Sequence, residues 1–436
     1  MTSLTVTGGT PLRGSVRLGG AKNASFKLMI AALLGTSESR LLNFSQISDV
    51  QLVSSIINYL GGSARTAGER ALFIDPAGLS SHSIDAKHGE QGRFSTMFIP
   101  VLLHTFGRAN VPAPGGDKIG KRPLERHFDG LAALGATIIF EDGMYKARAE
   151  RMVGAEYTFE KNSHTGTETL IMAGVLARGT TVLKNAAREP EIDDLIAFLN
   201  AMGGHIKRTA DRTIVIEGVK ELHGAIHKLL PDRNEAVTYA CAALGTKGDV
   251  VIENARAKDL HAFLQVLDQM KAGYEVGQYG IRFFYKDELQ ATKIEPGFMT
   301  DWQPLMATLL TQCQGKSTIH ETVMDSRFQY VPELQRMGAD ITLFQPKLGR
   351  AENTYNFNLA DSTNDLHAIG ITGPTPLVAT DITIKDLRHG ATLITAALIA
   401  QGTSHFSAIE HVDRGYEALE ERLRSLGAVI QREEGA

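Results

Sequence analysis

The sequence predicts an α/β protein of two domains, each a ring of three repeated units around shared buried helices. Three observations predict it. At 436 residues the chain is too long for one ordinary core, so two domains of roughly 200 residues are expected. One unit recurs along it: a glycine-containing turn, a short β-rich run, a polar loop, an amphipathic helix closing on Leu/Met-Gly-Gly/Ala, and a further strand. A proline- and charge-rich break, Leu229-Leu-Pro-Asp-Arg-Asn234, separates the third copy from the fourth.

In chain order, the first twenty residues read as a short strand hairpin ending at Gly19-Gly20. The helix endings follow at Leu60-Gly61-Gly62, Leu134-Gly135-Ala136 and Met202-Gly203-Gly204, then at Met337-Gly338-Ala339 and Leu426-Gly427-Ala428. A weaker copy, Met270-Lys271-Ala272-Gly273, completes the six. Glycine just past a helix supplies a left-handed cap, and a strand begins at once, as in Ala136-Thr-Ile-Ile-Phe140. Upstream turns match at Gly107, Gly179, Gly248, Gly315 and Gly402, each leading into a β-rich run. The spacing is too large for a solenoid. A chain that starts in one domain, builds the other and returns would cross near Gly20 and Pro231, giving domains 21–230 and 1–20 plus 231–436.

Composition narrows the function. Hydrophobic content of 43% with 22% charged residues is that of a soluble globular protein. A net charge of −4 argues against a nucleic-acid binder working through bulk charge, so basic residues must act locally. Met-Thr-Ser-Leu-Thr-Val at the start is no signal core, and no apolar run approaches the ~18 residues of a membrane helix, so a cytoplasmic protein without membrane association is expected. Cys241 and Cys313 sit in apolar helical contexts and read as core residues. The fourteen histidines show no metal-ligand spacing, so neither a metal nor a cofactor is expected.

Anion-binding chemistry gathers in several patches. Pro112 to His127 interleaves Pro112, Pro114, Gly115, Gly116 and Gly120 with Asp117, Lys118, Lys121, Arg122, Glu125 and Arg126. Bare backbone and cations at a helix entrance suit phosphate or carboxylate, and Asp117 at the loop tip can exchange a proton with what binds. Gly19-Gly-Ala-Lys22-Asn23 opens a helix with a glycine-rich turn and a lysine, without the P-loop signature. Arg93 leads into a buried run, Met97 to Leu103. Asn185 to Glu191 reads as a capping and ion-pairing loop, and Asp232-Arg233 as a salt-bridged hinge. Asp301 stands beside the only tryptophan, Trp302, as a helix cap or as a general base whose pKa an aromatic wall raises. Arg327 and Arg388 each start a helix, where a bound anion would offset their opposition to the helix dipole.

Together, Gly20-Ala-Lys22-Asn23, Pro114-Gly-Gly-Asp117 through Gly120-Lys-Arg122-Pro123, Asn185 to Glu191 and Pro231-Asp-Arg233 resemble the enolpyruvyl transferases. So do Pro296-Gly-Phe with Asp301, Arg327-Phe328, Asp386-Leu-Arg388 and Asp413-Arg-Gly-Tyr416, in the same order over essentially the whole chain. The resemblance is to the branch acting on UDP-N-acetylglucosamine at the start of peptidoglycan synthesis; the Lys-Ser opening of the shikimate-pathway branch is absent. It implies two inside-out α/β domains closing over substrates, with a pseudo-sixfold repeat. It implies addition of the sugar 3′-hydroxyl to C2 of phosphoenolpyruvate while C3 is protonated, then loss of phosphate.

Carried over by position, Lys22, Arg122 and Arg388 would hold the phosphate and carboxylate of phosphoenolpyruvate, with Arg327 close by. Asn23 would contact the sugar and Arg93 its diphosphate. Pro123, Leu124, Glu125 and Arg126, with Lys161, Ser163 and His164, would bind the uridine end. Asp301 would be the base on the hydroxyl, and Val323 would give a backbone contact. Asp117 would be the proton donor, a role Lys22 could share. The protein would be a monomer or a weak homo-oligomer.

The sequence departs from the family pattern in places. Most members carry cysteine where this chain has Asp117, and a carboxylate attacks the epoxide antibiotic fosfomycin poorly, so insensitivity is expected. Arg126 and His164 replace apolar residues, and His389 a small one. A paralogue acting on another uridine nucleotide in antibiotic biosynthesis, and a non-catalytic UDP-sugar binder, stay open beside the main reading.

Overall fold

The computed structural model describes residues 2–68, 70–89, 91–115, 123–347, 354–359, 362 and 366–433. They form two compact units, one of Met1–Leu18 with Pro231–Ala436 and one built between Gly19 and Leu230. Each unit has its own hydrophobic core.

Each unit repeats one motif three times. A buried helix leads to a strand, an outer helix follows, and two strands return so that the last lies between the other two. In the Gly19–Leu230 unit, helix Lys22–Ala32 precedes a sheet ordered Ile226–Lys228, Ser39–Leu42, Ala71–Asp75, Ser63–Ala67. Helix Ile99–Phe106 precedes the sheet Arg108–Pro112, Met144–Arg148, Thr137–Glu141. Helix His164–Gly174 goes with His205–Ala210, Thr213–Glu217, Thr180–Lys184, Glu156–Thr158. The other unit repeats this with buried helices Arg233–Gly245, Gln303–Leu310 and Leu387–Ile399, which pack on one another; in its last copy the strand between the other two is Ser3–Thr7, from the start of the chain.

Burial explains why these helices read differently from the outer ones. Every residue of Arg233–Gly245 and Gln303–Leu310 is buried, so no polar face survives. Outer helix Ser48–Tyr59 keeps an inward stripe of Val50, Val53, Ile56 and Ile57. The repeated glycines have a conformational cause. Gly61, Gly135, Gly203, Gly338 and Gly427 all lie past an outer helix at φ between 95° and 103°. In the fourth copy Lys271 occupies that place at φ 57°, and Lys247 at φ 56° precedes Gly248 in the upstream turn. This is why that copy is the weak one in the sequence.

The first two strands correct the expected hairpin. Ser3–Thr7 pairs with Thr403–Ser407 and Val429–Glu433, whereas Arg13–Arg17 runs parallel to Asp249–Glu253 in a different sheet. Elsewhere a strand just before a buried helix pairs with the strand just after it, as Glu156–Thr158 does with Thr180–Lys184. At the start of each unit this partner is exchanged. Arg13–Arg17 precedes helix Lys22–Ala32 yet serves the Pro231–Ala436 sheet, and Ile226–Lys228 precedes helix Arg233–Gly245 yet pairs with Ser39–Leu42. The chain therefore changes units once after each of these strands.

Candidate functional site

In the unit containing Pro231–Ala436, the central feature is one carboxylate held by two guanidinium groups. Asp386 is extended and caps helix Leu387–Ile399, its Oδ1 accepting from the amides of Arg388 and His389 at 2.8 and 2.9 Å. This seats Arg388 in the first turn, where Nη2 donates to Asp301 Oδ2 at 3.0 Å. Arg327 opens the short helix Arg327–Tyr330, donating from Nε to the Thr300 carbonyl at 3.0 Å and from Nη2 to Asp301 Oδ1 at 2.8 Å. The arginine side chains are 3% and 8% exposed and Asp301 22%, so the carboxylate is the member within reach of a ligand. Burial opposes the charge on Arg388, but the Asp301 carboxylate overcomes it and holds the guanidinium above its ordinary range.

A second layer fixes this group. Tyr416 is buried with its hydroxyl 3.2 Å from Arg388 Nη1 and 2.7 Å from Thr238 Oγ1. Glu321 is buried and accepts from Thr300 Oγ1 at 2.9 Å and from the amides of Val323 and Met324 at 2.7 and 3.1 Å. Burial pushes its carboxyl up. The Val323 amide is thus engaged. A pocket of about 10 Å³, the size for one water, lies beside Arg327 and Arg388, walled in part by Gln329, Asp386 and His389.

Two expectations change here. Trp302, expected as an aromatic wall beside Asp301, turns its ring into the core. It is buried against Phe263 and Phe298, with Nε1 donating to Asn234 at 2.9 Å and Arg233 over its ring at 5.3 Å. Helix Gln303–Leu310 is preceded by Trp302, so Asp301 lies one residue outside the cap position and its oxygens serve the arginines. His389, which replaces a small residue, is buried, burial lowers its imidazole to about 4, and Nε2 meets no hydrogen-bond partner among the described residues.

In the Gly19–Leu230 unit, Lys22 opens its helix with Nζ 2.9 Å from Asp49 and 5.7 Å from the centre of the Phe26 ring. Asn23 follows it, half-buried. Phe26 meets Phe94 at 5.5 Å, which brings the half-buried Arg93 segment beside this helix. The two segments expected at the nucleotide end lie together. Arg126 Nη1 donates to the Asn162 carbonyl at 3.2 Å, Tyr157 donates to the Arg126 carbonyl at 3.3 Å, and His127 Nε2 meets Thr165 Oγ1 at 2.9 Å. Pro123 and Glu125 are exposed, Leu124 is buried, and Lys161 is half-buried. Ser163 caps helix His164–Gly174 by accepting from the Gly166 amide at 3.1 Å. His164 is tied to Glu168 at 3.2 Å. Asp117 and Arg122 lie outside the described residues.

Asp49, Thr238 and Glu321 were not foreseen, and Tyr416 was noticed only as part of a motif. The available signal was a short polar side chain within an otherwise apolar helix or just past a strand, as in the buried Thr238 and Glu321. The cysteines are inert, with burial pushing the Cys313 thiol up to about 12 and Cys241 higher still. Among the described residues no group of three or more His, Cys, Asp or Glu is arranged to hold a metal, and no helix is long and apolar enough to cross a membrane.

The comparisons with known proteins bear on the same chemistry. A family profile described as EPSP synthase (3-phosphoshikimate 1-carboxyvinyltransferase) matches residues 6–423. The UDP-N-acetylglucosamine 1-carboxyvinyltransferase of Protochlamydia amoebophila is 39% identical over 445 residues, covering 99% of this chain and 94% of that protein. That of Halorhodospira halophila is 38% identical over 436 residues, covering 99% of each. Among solved structures, the enolpyruvyl transferase NikO from Streptomyces tendae matches with a TM-score of 0.86 at 24% identity, over 99% of this chain and 98% of that one. EPSP synthase from Acinetobacter baumannii matches with a TM-score of 0.76 at 17% identity over the whole of both. These structural likenesses establish a shared fold.

Proposed function

This chain belongs to the EPSP synthase family of enolpyruvyl transferases, and from that premise we propose that it transfers enolpyruvate from phosphoenolpyruvate to the 3′-hydroxyl of UDP-N-acetylglucosamine with release of phosphate. The step is the first committed one of peptidoglycan precursor synthesis, carried out in the cytoplasm. The observation that carries the chemistry is the Asp301 carboxylate, within reach of a ligand and fixed on both oxygens by Arg327 and Arg388 at 2.8 and 3.0 Å. The acceptor is read from the near full-length relatives that bear that activity's name.

In this reading Asp301 takes the proton of the sugar hydroxyl as the hydroxyl oxygen attacks C2. Asp117 protonates C3, with Lys22 able to share that role. Collapse returns a C3 proton as phosphate leaves. Lys22, Arg122 and Arg388, with Arg327 beside them, hold the carboxylate and phosphate and stabilise the charge that develops. Asn23 contacts the sugar and Arg93 the diphosphate. Residues 123–126 with Lys161, Ser163 and His164 receive the uridine end, and Val323 contributes a backbone contact.

Phosphate release from phosphoenolpyruvate and UDP-N-acetylglucosamine tests the reading, with Asp301→Asn expected to reduce kcat by at least about a hundredfold. No phosphate from the purified protein with both substrates would end it. Arg126 and His164 at the acceptor end favour one second reading, transfer to a different uridine nucleotide, which product mass separates from the first. With Asp117 where most of the family carries cysteine, prolonged incubation with fosfomycin is expected to leave activity intact. Rapid loss of activity together with a mass increase equal to the drug would refute that.

A further inference from the structure

Two central helices of the Gly19–Leu230 unit carry a buried ion pair, beside His164, to which the transfer chemistry assigns no task. Lys27 in helix Lys22–Ala32 and Glu168 in helix His164–Gly174 meet at 2.7 Å with side chains 2% and 0% exposed. His164, first in its helix, places Nε2 3.2 Å from Glu168 Oε1 and 3.4 Å from Lys27 Nζ. Unlike the other two it reaches the surface, with its side chain 23% exposed. A buried Lys–Glu pair is expensive to desolvate, and apolar residues of the same volume are commonly as stable or more so. Stability alone therefore gives no reason for this pair.

The geometry at Nε2 supplies one. The atom stands within reach of an ammonium donor and a carboxylate acceptor and can serve only one of them. If it accepts from Lys27, the ring is neutral, with its N–H at Nδ1. If it donates to Glu168 while Nδ1 keeps its proton, the ring is charged and Glu168 is the buried counter-charge. A ligand anion at the first helical turn favours the second state, because it adds an acceptor outside the ring.

We propose that Lys27, Glu168 and His164 make acceptor binding proton-linked: the neutral His164 ring, with its N–H at Nδ1 and its Nε2 accepting from Lys27, takes up a solvent proton at Nε2 and donates it to Glu168 when the diphosphate of the acceptor nucleotide seats against the first turn of its helix. This rests on the reading of residues 161–164 as the uridine end, and extends it to the adjoining diphosphate, which the start of this helix would share with Arg93. His164 is then a specificity-determining residue that rewards a charged diphosphate over a neutral nucleoside. Glu168 is a positioning residue, and Lys27 fixes Glu168 in turn. The charges facing the imidazole are Glu168 on its own helix, Lys27 from helix Lys22–Ala32, and Glu189 from the loop before helix Pro190–Ala201. Beside it are Lys161, Arg126 bonded to the Asn162 carbonyl, and His127, which burial keeps neutral by lowering it to about 4. Burial and Lys27 push the His164 imidazole down, while Glu168 and Glu189 more than restore it, leaving it above its ordinary value. Proton uptake then falls around neutrality and above. The diphosphate stays doubly ionised there, so any slope belongs to the protein.

Calorimetric titration of the full chain with UDP-N-acetylglucosamine, in buffers of different ionisation enthalpy and without phosphoenolpyruvate, reads the linkage directly. Wild type is expected to take up a fraction of a proton per ligand and to bind about tenfold more weakly at pH ~8.5 than at pH ~6. His164→Gln should abolish both effects, while uridine should show neither with either protein. The double variant Lys27→Met/Glu168→Gln leaves no buried charge unpaired and should also lose the uptake. Binding without uptake in wild type, or an undiminished pH slope in His164→Gln, overturns the proposal, and absence of binding overturns both it and the acceptor assignment. Phosphate release without proton-linked binding defeats this inference alone; proton-linked binding without phosphate release defeats the transfer reading alone.

Discussion

Tyr416 shows what a single buried hydroxyl contributes to the arginine pair. Its oxygen sits between Thr238 Oγ1 at 2.7 Å and Arg388 Nη1 at 3.2 Å, with the guanidinium 5.9 Å from the ring centre. Replacing it by phenylalanine keeps the ring and leaves Thr238 Oγ1 its bond to the Asn234 carbonyl at 3.0 Å, but takes the partner from an Arg388 N–H in the core. Tyr416→Phe is expected to lose about 1–2 kcal/mol of stability and, because Arg388 loses one of the two side-chain anchors it has among the described residues, to lower kcat roughly tenfold. Urea unfolding and steady-state phosphate release check the two parts. His127 gives a pH prediction. Burial, then Arg93, lowers its imidazole from 6.5 to about 4. Between those values the unfolded chain binds the extra proton, so stability is full above 6.5 and falls with acid, by on the order of 3 kcal/mol in total. His127→Gln should flatten that part of the stability curve measured by thermal unfolding from pH ~6.5 to ~4.5; an unchanged slope would refute it. The sequence suggested Asp301, Arg327 and Arg388 separately because an arginine at a helix start and an acid beside an aromatic are local signals. It could not suggest Tyr416, 28 residues from Arg388, or that Trp302 turns inward to reach Asn234, because those are choices of packing.

At the scale of the element, one position recurs past each outer helix and sets the turn into the next strand. Five copies fill it with glycine and the fourth with exposed Lys271 at φ 57°, a region that disfavours side chains. Lys271→Gly is therefore expected to stabilise the protein by roughly 0.5–1 kcal/mol, the relief of strain exceeding the added chain entropy. Gly427→Ala should do the reverse by about 1 kcal/mol. A Cβ there meets nothing within 4 Å at φ 95°, so conformation alone is tested. Paired urea curves decide it, and a Lys271→Gly variant less stable than wild type would sink the argument. This turn is also why the repeat was legible, since glycine past a helix is written in the chain itself. The first two strands were misread because a hairpin and two strands in separate sheets have the same local pattern. What separates them is remote: at Gly8 a Cβ would stand 2.2 Å from the carbonyls of Ala397 and Ala400, so that turn is shaped by the end of helix Leu387–Ile399.

The strand exchange at the two unit starts has a consequence for the whole molecule. Every sheet of the Gly19–Leu230 unit is built from its own chain, because Ile226–Lys228 supplies the edge beside Ser39–Leu42. The other unit cannot be cut out as a single piece. Its sheet containing Thr403–Ser407 needs Ser3–Thr7 as an interior strand, flanked by Thr403–Ser407 on one side and Val429–Glu433 on the other. Its first sheet takes Arg13–Arg17 as an edge. An edge strand can be lost with local damage, whereas removing an interior strand exposes two unpaired edges and opens the core beneath. A fragment of residues 19–230 is therefore expected to unfold cooperatively, with native-like circular dichroism. A fragment of 231–436 should be at most a loosely packed state that binds a hydrophobic dye. Joining residues 1–18 to the end of that second fragment through a flexible linker should restore a cooperative transition, since the strands need only be present. If 231–436 alone folds as well as the joined form, then Ser3–Thr7 and Arg13–Arg17 do not complete that unit's sheets.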